Sequence, residues 1–361
     1  MECSVLEEVF IDDWNQGILE KLNGKRYPFG GLFELTDRCN LRCVHCYINQ
    51  SAGCAQARES ELNTDEVKAI LDQLVNAGVL SITFTGGEVF LRQDFLEIYL
   101  YAKSIGLLVT IFTNGTLITP KIADVLAEYR PRLMEITLYG GTKETYEKVT
   151  GVPSSYDRCI KAIELILDRD ILLYLKSIIL KINASELSMM QHFAKERGLS
   201  FRYDGLIWPR LDKTEKSYAY RLNKEELVAL DNGDSERMAE WKRIAGSFGG
   251  FRSRAEAVYN CGAGLRSFHI DSNGRLSACS MARKPNYELR TITFLDAWER
   301  IGEIRSLKRE LNTVCRSCEM GGLCSQCPGW SQLVHGDDET PVEFVCELAH
   351  LRLKNLKKSI I

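Results

Sequence analysis

Between residue 31 and about residue 204, short apolar runs alternate with stretches in which apolar residues recur every three or four positions. Six runs, at 32–35, 81–85, 108–112, 134–139, 172–180 and 200–203, have the length and composition of strands. The intervening stretches have helical spacing. One opens near Thr64 with a capping residue and places Val67, Ile70, Leu71, Leu74 and Val75 on one face. Segments 95–102, 121–128, 159–167 and 186–194 follow the same period. Strand–helix alternation predicts an α/β fold with a parallel sheet and right-handed crossovers, for which a six-stranded relative of the TIM barrel is the natural closure. In such barrels chemistry sits at the carboxyl ends of the strands.

After this region the pattern loosens. Residues 208–260 read as a bridge with one polar helix over 224–243. From Cys261 onward the chain becomes cysteine-rich, with short helices and a hairpin at 268–276 that turns at Asn273-Gly274. The expected organisation is an N-terminal extension (1–30), a barrel (31–207), the bridge (208–260) and a cysteine-rich extension ending in a helix (261–361).

Composition narrows the function. Of 361 residues, 45% are hydrophobic and 26% charged, which supports a core of ordinary size. A net charge of −3 offers nothing to nucleic acid or an anionic membrane. The acidic start, Met1-Glu2-Cys3, lacks the regions of a signal peptide. The apolar stretch 171–182 is interrupted by Lys176 and Lys181 and suits a buried strand, not a membrane span. The expected location is cytoplasmic. There, 13 cysteines, ten of them in patterned groups, argue for metal ligation over disulfides. Cys3, Cys54 and Cys159 fall outside the patterned groups and read as incidental thiols.

The first group is Cys39, Cys43 and Cys46, spaced C-x3-C-x2-C just after the first strand. Three thiolates on one loop can hold three irons of a 4Fe–4S cube and leave the fourth open, as a catalytic metal requires. Gly86-Gly87-Glu88 follows the second strand and Thr113-Asn114-Gly115 the third. Together these segments closely resemble the radical SAM superfamily, in which the open iron binds and reductively cleaves S-adenosylmethionine (SAM). The resemblance implies a partial (β/α)6 barrel. Gly86, Gly87 and Glu88 would line the methionine part of SAM, with a hydrogen bond to its amino group. Asn114 lies near the ribose or substrate, or simply makes a turn. His45 packs beside the adenine and does not bind iron, and Tyr47 covers the nucleotide through its backbone. Glu135, Thr137 and Tyr139 share one strand face, directed at a ligand or at the rim. Lys176 meets the SAM carboxylate or faces outward. Arg202-Tyr203-Asp204 places a charged pair near the cavity mouth. Asp204 and Lys176 are the catalytic candidates.

The second group is Cys261, Cys279, Cys315, Cys318, Cys324, Cys327 and Cys346. It resembles the SPASM extension of radical SAM peptide-modifying enzymes, except that two residues, not three, separate Cys324 from Cys327. Carried over, Cys315, Cys318, Cys324 and Cys346 ligate one auxiliary Fe–S cluster. Cys261, Cys279 and Cys327 hold a second, whose fourth ligand is unassigned. The segment from Tyr139-Gly140-Gly141-Thr142 to Gly151 is similar to peptide-maturing members, whose glycines would leave room beside the barrel. The implied activity is hydrogen abstraction from a peptide or protein, giving a crosslink, an epimerisation or a side-chain oxidation. A flavodoxin or ferredoxin would supply electrons. The 30 residues before the first strand are too few for a fused leader-binding domain, so a separate partner or another surface is expected. The rivals are a tetrapyrrole side-chain enzyme of the same superfamily and a zinc-stabilised interaction protein.

Overall fold

A computed structural model describes residues 17, 25–48, 50–246, 256–310, 314–318, 320 and 323–358. Cys3 and most of the N-terminal extension lie outside them. Strands β1 (Gly30–Glu34), β2 (Ser81–Thr85), β3 (Leu108–Thr113), β4 (Leu133–Thr137), β5 (Leu173–Ile178) and β6 (Ser200–Asp204) lie side by side in chain order, each pair parallel. This is the expected α/β partial barrel.

The strands alternate because their two faces meet different surroundings. Ile82 and Phe84, Val109 and Ile111, Met134 and Ile136, and Leu173 and Leu175 are buried on the outer face. They belong to one core with Val67, Ile70, Leu71 and Leu74 of the helix Thr64–Asn76. Each such side chain contributes about 1.5–3 kcal/mol by leaving water. That helix is capped by Asn63, whose side chain accepts from the Glu66 amide while the Glu66 carboxylate accepts from the Asn63 amide. The inner face carries Glu34, Thr83, Thr85, Phe112, Glu135, Thr137, Lys176 and Arg202, in parallel register. A polar inner face departs from the apolar stack that fills a closed barrel.

The sequence pattern assigned the hairpin to the C-terminal region, and the structure adds a connection it did not show. β7 (Ser267–Ile270) pairs parallel to β1. β8 (Arg275–Ser277) and β9 (Asn286–Glu288) follow antiparallel, so the sheet has nine strands in the order β9-β8-β7-β1-β2-β3-β4-β5-β6. The turn spans Asp271 to Gly274, with Gly274 at φ +87° donating to the Asp271 carbonyl at 2.9 Å.

Two local expectations need correction. The polar helix of the bridge is two helices, Lys224–Asn232 and Ser235–Gly246. Asp234 starts the second by accepting from the Arg237 amide at 3.0 Å. Gly140 and Gly141 do not open space beside the barrel. An added Cβ would lie 2.7 Å from Tyr146 N and 2.7 Å from Met189 Cβ respectively, so they permit packing on neighbouring segments. The helix Lys143–Thr150 occupies the stretch and ends at Gly151, φ +66°. The C-terminal helix Glu343–Lys358 packs on Lys224–Asn232, where Arg352 meets the buried Asp231 at 2.8 Å.

Candidate active site at the carboxyl ends of the strands

The backbone leaving β1 runs through Thr36-Asp37-Arg38 to Cys39, and the turn after β2 lies flat against it. Gly87 N donates to Thr36 O at 2.7 Å and Glu88 N to Arg38 O at 2.9 Å. A Cβ on Gly86 would sit 2.2 Å from Thr36 O, and one on Gly87 2.2 Å from Arg38 O. Only glycine permits this approach. Arg38 is clamped by Glu61 through two 2.9 Å bonds, which fixes the residue before the first cysteine. The Glu88 side chain is engaged within the protein. Its buried carboxylate accepts from Thr113 Oγ1 at 2.7 Å, Asn114 N at 2.8 Å and Phe90 N at 3.1 Å. It ties the exits of β2 and β3 together, and burial pushes its carboxyl up. A ligand at this turn would find backbone, not that carboxylate.

Asn114 faces the cysteine loop. Its Nδ2 lies 3.7 Å from Cys39 Sγ and donates to Asn40 Oδ1 at 3.0 Å, and its Oδ1 accepts from Thr116 N at 2.9 Å. Leu41 N also donates to Cys39 Sγ, at 3.4 Å. His45 packs its ring against Tyr139, centroids 5.1 Å apart, and its buried Nδ1 has no partner. Burial lowers its pKa to about 4, so the ring is neutral. Tyr139, beyond the end of β4, turns to this loop. Tyr47 is committed within the protein, its hydroxyl to Glu34 at 2.8 Å and its carbonyl to Leu211 N at 3.1 Å. Arg210 Nη1 holds the Cys46 carbonyl at 2.9 Å.

The donor set suits a thiolate-held cluster. Cys39, Cys43 and Cys46 lie within one another's electrostatic reach on one loop, and none is in a disulfide. Burial pushes the Cys39 thiol up to about 12 and also raises Cys43 well above the usual thiol range, so loading must displace protons. Among the described residues no group of three His, Cys, Asp or Glu side chains is placed to hold one metal ion.

Further round the inner face, Lys176 points inward, its Nζ 3.2 Å from Glu135 Oε2 and 3.2 Å from the Phe112 ring centroid. Arg202 pairs with the same Glu135 oxygen, not with Asp204 as its place in the sequence suggested. Thr137 lies level with Lys176, and Lys176 with Arg202, along the ladder. Asp204 turns its Oδ1 to the Leu206 amide at 2.9 Å and orders its own loop. Desolvation lowers the Lys176 pKa to about 8, with Glu135 opposing it.

Sequence reasoning missed a second inner cluster. Glu34, fully buried at the end of β1, accepts from Arg283 Nη2 at 2.9 and 2.8 Å, while His269 Nε2 lies 3.2 Å away. Burial alone would raise this carboxyl, but His269, Arg283 and the Tyr47 hydroxyl outweigh it and hold it at about 2. The one available signal was a glutamate inside an apolar strand; its partners come from about 240 residues later in the chain.

The seven cysteines from Cys261 to Cys346 form two gatherings. Cys315, Cys318, Cys324 and Cys346 line a cavity of about 330 Å³, together with Met320 and Pro341. Cys261 and Cys279 act electrostatically on Cys327, whose thiol burial pushes up to about 11. Cys324 and Cys327 pack against a cluster of Trp330, Val342 and Val345, and Trp330 stacks on Trp208 of the bridge at 4.5 Å.

Residues 33–194 match the family described as the Radical SAM superfamily. The chain carries a radical SAM domain. Over 325 residues it is 26% identical to an AdoMet-dependent heme synthase of Methanosarcina barkeri, covering 84% of this chain and 92% of that one. The mycofactocin maturase MftC of Mycobacterium tuberculosis is 28% identical over 308 residues, 82% of this chain and 74% of its own. The crystal structure of Streptococcus suis SuiB superposes with a TM-score of 0.69 at 19% identity, covering 95% of this chain and 84% of that chain, a likeness of fold. Radical SAM proteins are enzymes that use a 4Fe–4S cluster and SAM, and the cysteine-rich C-terminal region fits the SPASM type with its auxiliary clusters. Among the described residues no helix is long and apolar enough to cross a membrane.

Proposed function

We propose that this radical SAM enzyme acts on a peptide or protein, with the SAM-binding cluster on Cys39, Cys43 and Cys46. The observation that carries the cysteine assignment is the backbone of Gly86-Gly87-Glu88 laid against the run into Cys39, beside a loop that brings three thiols within one another's electrostatic reach. Held by those three cysteines, a cluster with SAM would supply reductive cleavage of SAM and radical hydrogen abstraction. The chain's own residues position and shield. Asn114 and the Leu41 amide donate toward Cys39, which tunes a thiolate ligand. Glu88 fixes Asn114 through its amide, and Arg210 with Leu211 clamps the loop at Cys46 and Tyr47. His45 and Tyr139 form an apolar wall that excludes water. Cys315, Cys318, Cys324 and Cys346 hold one auxiliary cluster, and Cys261, Cys279 and Cys327 three corners of another. The enzyme works in the cytoplasm with a flavodoxin- or ferredoxin-type donor.

Peptide maturases among the relatives support the substrate class. A second reading, a tetrapyrrole side chain, is favoured by the near-complete coverage of the heme synthase. Product analysis with a candidate precursor peptide and with a porphyrin precursor separates the two. The ligand assignment is tested by a Cys39→Ala/Cys43→Ala/Cys46→Ala variant prepared without oxygen. Iron should fall by about one cube and 5′-deoxyadenosine should vanish while auxiliary absorbance stays. Retained SAM cleavage refutes the assignment.

A further inference from the structure

Inside the barrel one carboxylate serves two cations. Glu135 Oε2 contacts both Lys176 Nζ and the Arg202 guanidinium, and among the described residues neither cation has another acidic ion-pair partner. The acid is buried, its side chain 6% exposed, whereas Lys176 is 23% and Arg202 60% exposed. Asp204 occupies the same strand face but is engaged by the Leu206 amide. The group therefore carries one surplus positive charge, set over the Phe112 ring with Lys176 at 3.2 Å and Arg202 at 5.9 Å from its centroid. A partly desolvated surplus cation is costly until an anion meets it. An arginine beside a lysine matches a carboxylate, with the guanidinium fork supplying two parallel donors.

We infer that Arg202 and Lys176 form a subsite for a carboxylate carried by the substrate. This rests on the radical SAM reading above, which puts the substrate inside the barrel. The exits of β2 and β3 bear on the run through Cys39, and the segments after β4 and β6 reach His45 and Cys46. Lys176 and Arg202 stand on β5 and β6, two and three strands beyond β3 along the sheet, and β6 is its edge. The contacts of the two cations are with Glu135 and the Phe112 ring and not with the cysteine loop, so the surplus charge is left to the substrate, while SAM, which has a carboxylate of its own, is the rival source.

The test uses the reconstituted holoenzyme with SAM present. N-acetyl-glutamate N-methylamide and its glutamine counterpart are the probes, followed by saturation-transfer NMR. The glutamate probe should bind and the glutamine probe should not. Arg202→Gln and Lys176→Met should each weaken the glutamate probe about tenfold or more, as loss of a charge-assisted hydrogen bond does. Lys176→Arg should retain it, and SAM affinity should stay within about twofold, the scatter of an uninvolved site. Circular dichroism and iron content confirm that the variants are folded and loaded. Equal binding of the two probes, or binding of neither, overturns the subsite. A fall in SAM affinity with the glutamate probe unchanged assigns the cations to SAM and also overturns it. A wild-type holoenzyme that makes no 5′-deoxyadenosine sinks the functional reading instead, and probe binding is then read on its own.

Discussion

Gly87→Ala isolates the close approach on which the cysteine loop depends. Gly87 does not have a positive φ, so alanine adds no backbone strain, only a methyl group. That methyl would lie 2.2 Å from Arg38 O and 2.8 Å from Asp37 O, both backbone atoms that no rotamer change can move. The two segments must separate, and the bonds Gly87 N to Thr36 O (2.7 Å) and Glu88 N to Arg38 O (2.9 Å) stretch or break. Overpacking of this kind costs about 1–3 kcal/mol, and each lost hydrogen bond about 0.5–1.5 kcal/mol. The expected loss is about 2–6 kcal/mol, read from urea unfolding of the anaerobic holoprotein. Because the displaced residues lead straight into Cys39, iron bound at the first cluster and SAM affinity should fall with it. Gly53→Ala is the control. Its added Cβ meets nothing within 4 Å in an exposed loop, so stability should change by less than about 0.5 kcal/mol. A Gly87→Ala protein with wild-type unfolding midpoint and full iron content would refute the close-approach argument.

Two further outcomes follow from the inner charges. Glu34→Gln leaves Arg283 facing a neutral partner and should destabilise by about 3 kcal/mol, while adding Arg283→Met should recover part of that loss; single and double variants with purely additive effects would show that the two are not coupled. Lys176, at about 8 in the folded protein against 10.5 ordinarily, gives a pH signature of fixed sign: the unfolded chain binds its proton more tightly, so stability should rise by roughly 3 kcal/mol between pH 8 and pH 10.5. Lys176→Met should remove that rise, and an unchanged profile in the variant would show that the lysine is solvated.

By itself the sequence determined the elements and the chemistry of the thiols. Period-2 and period-3.6 patterning marks segments whose faces must be buried, so all six barrel strands appear within two or three residues of their expected bounds. The spacing of Cys39, Cys43 and Cys46 puts them on one loop however the chain folds, and the glycines after β2 signal a backbone that another segment must touch. Tertiary structure alone decided which segment that is. It also decided that Glu88 braces β3, that β7 extends the barrel sheet beside β1, and that Glu34 meets His269 and Arg283 across more than 230 residues of chain. Lys176 and Arg202 were visible in the sequence as charges in strands, but their direction was not. A strand's period says which residues share a face and leaves open which face is inside. That choice is made when the sheet curves and buries its apolar side against the helices, leaving one glutamate between two cations.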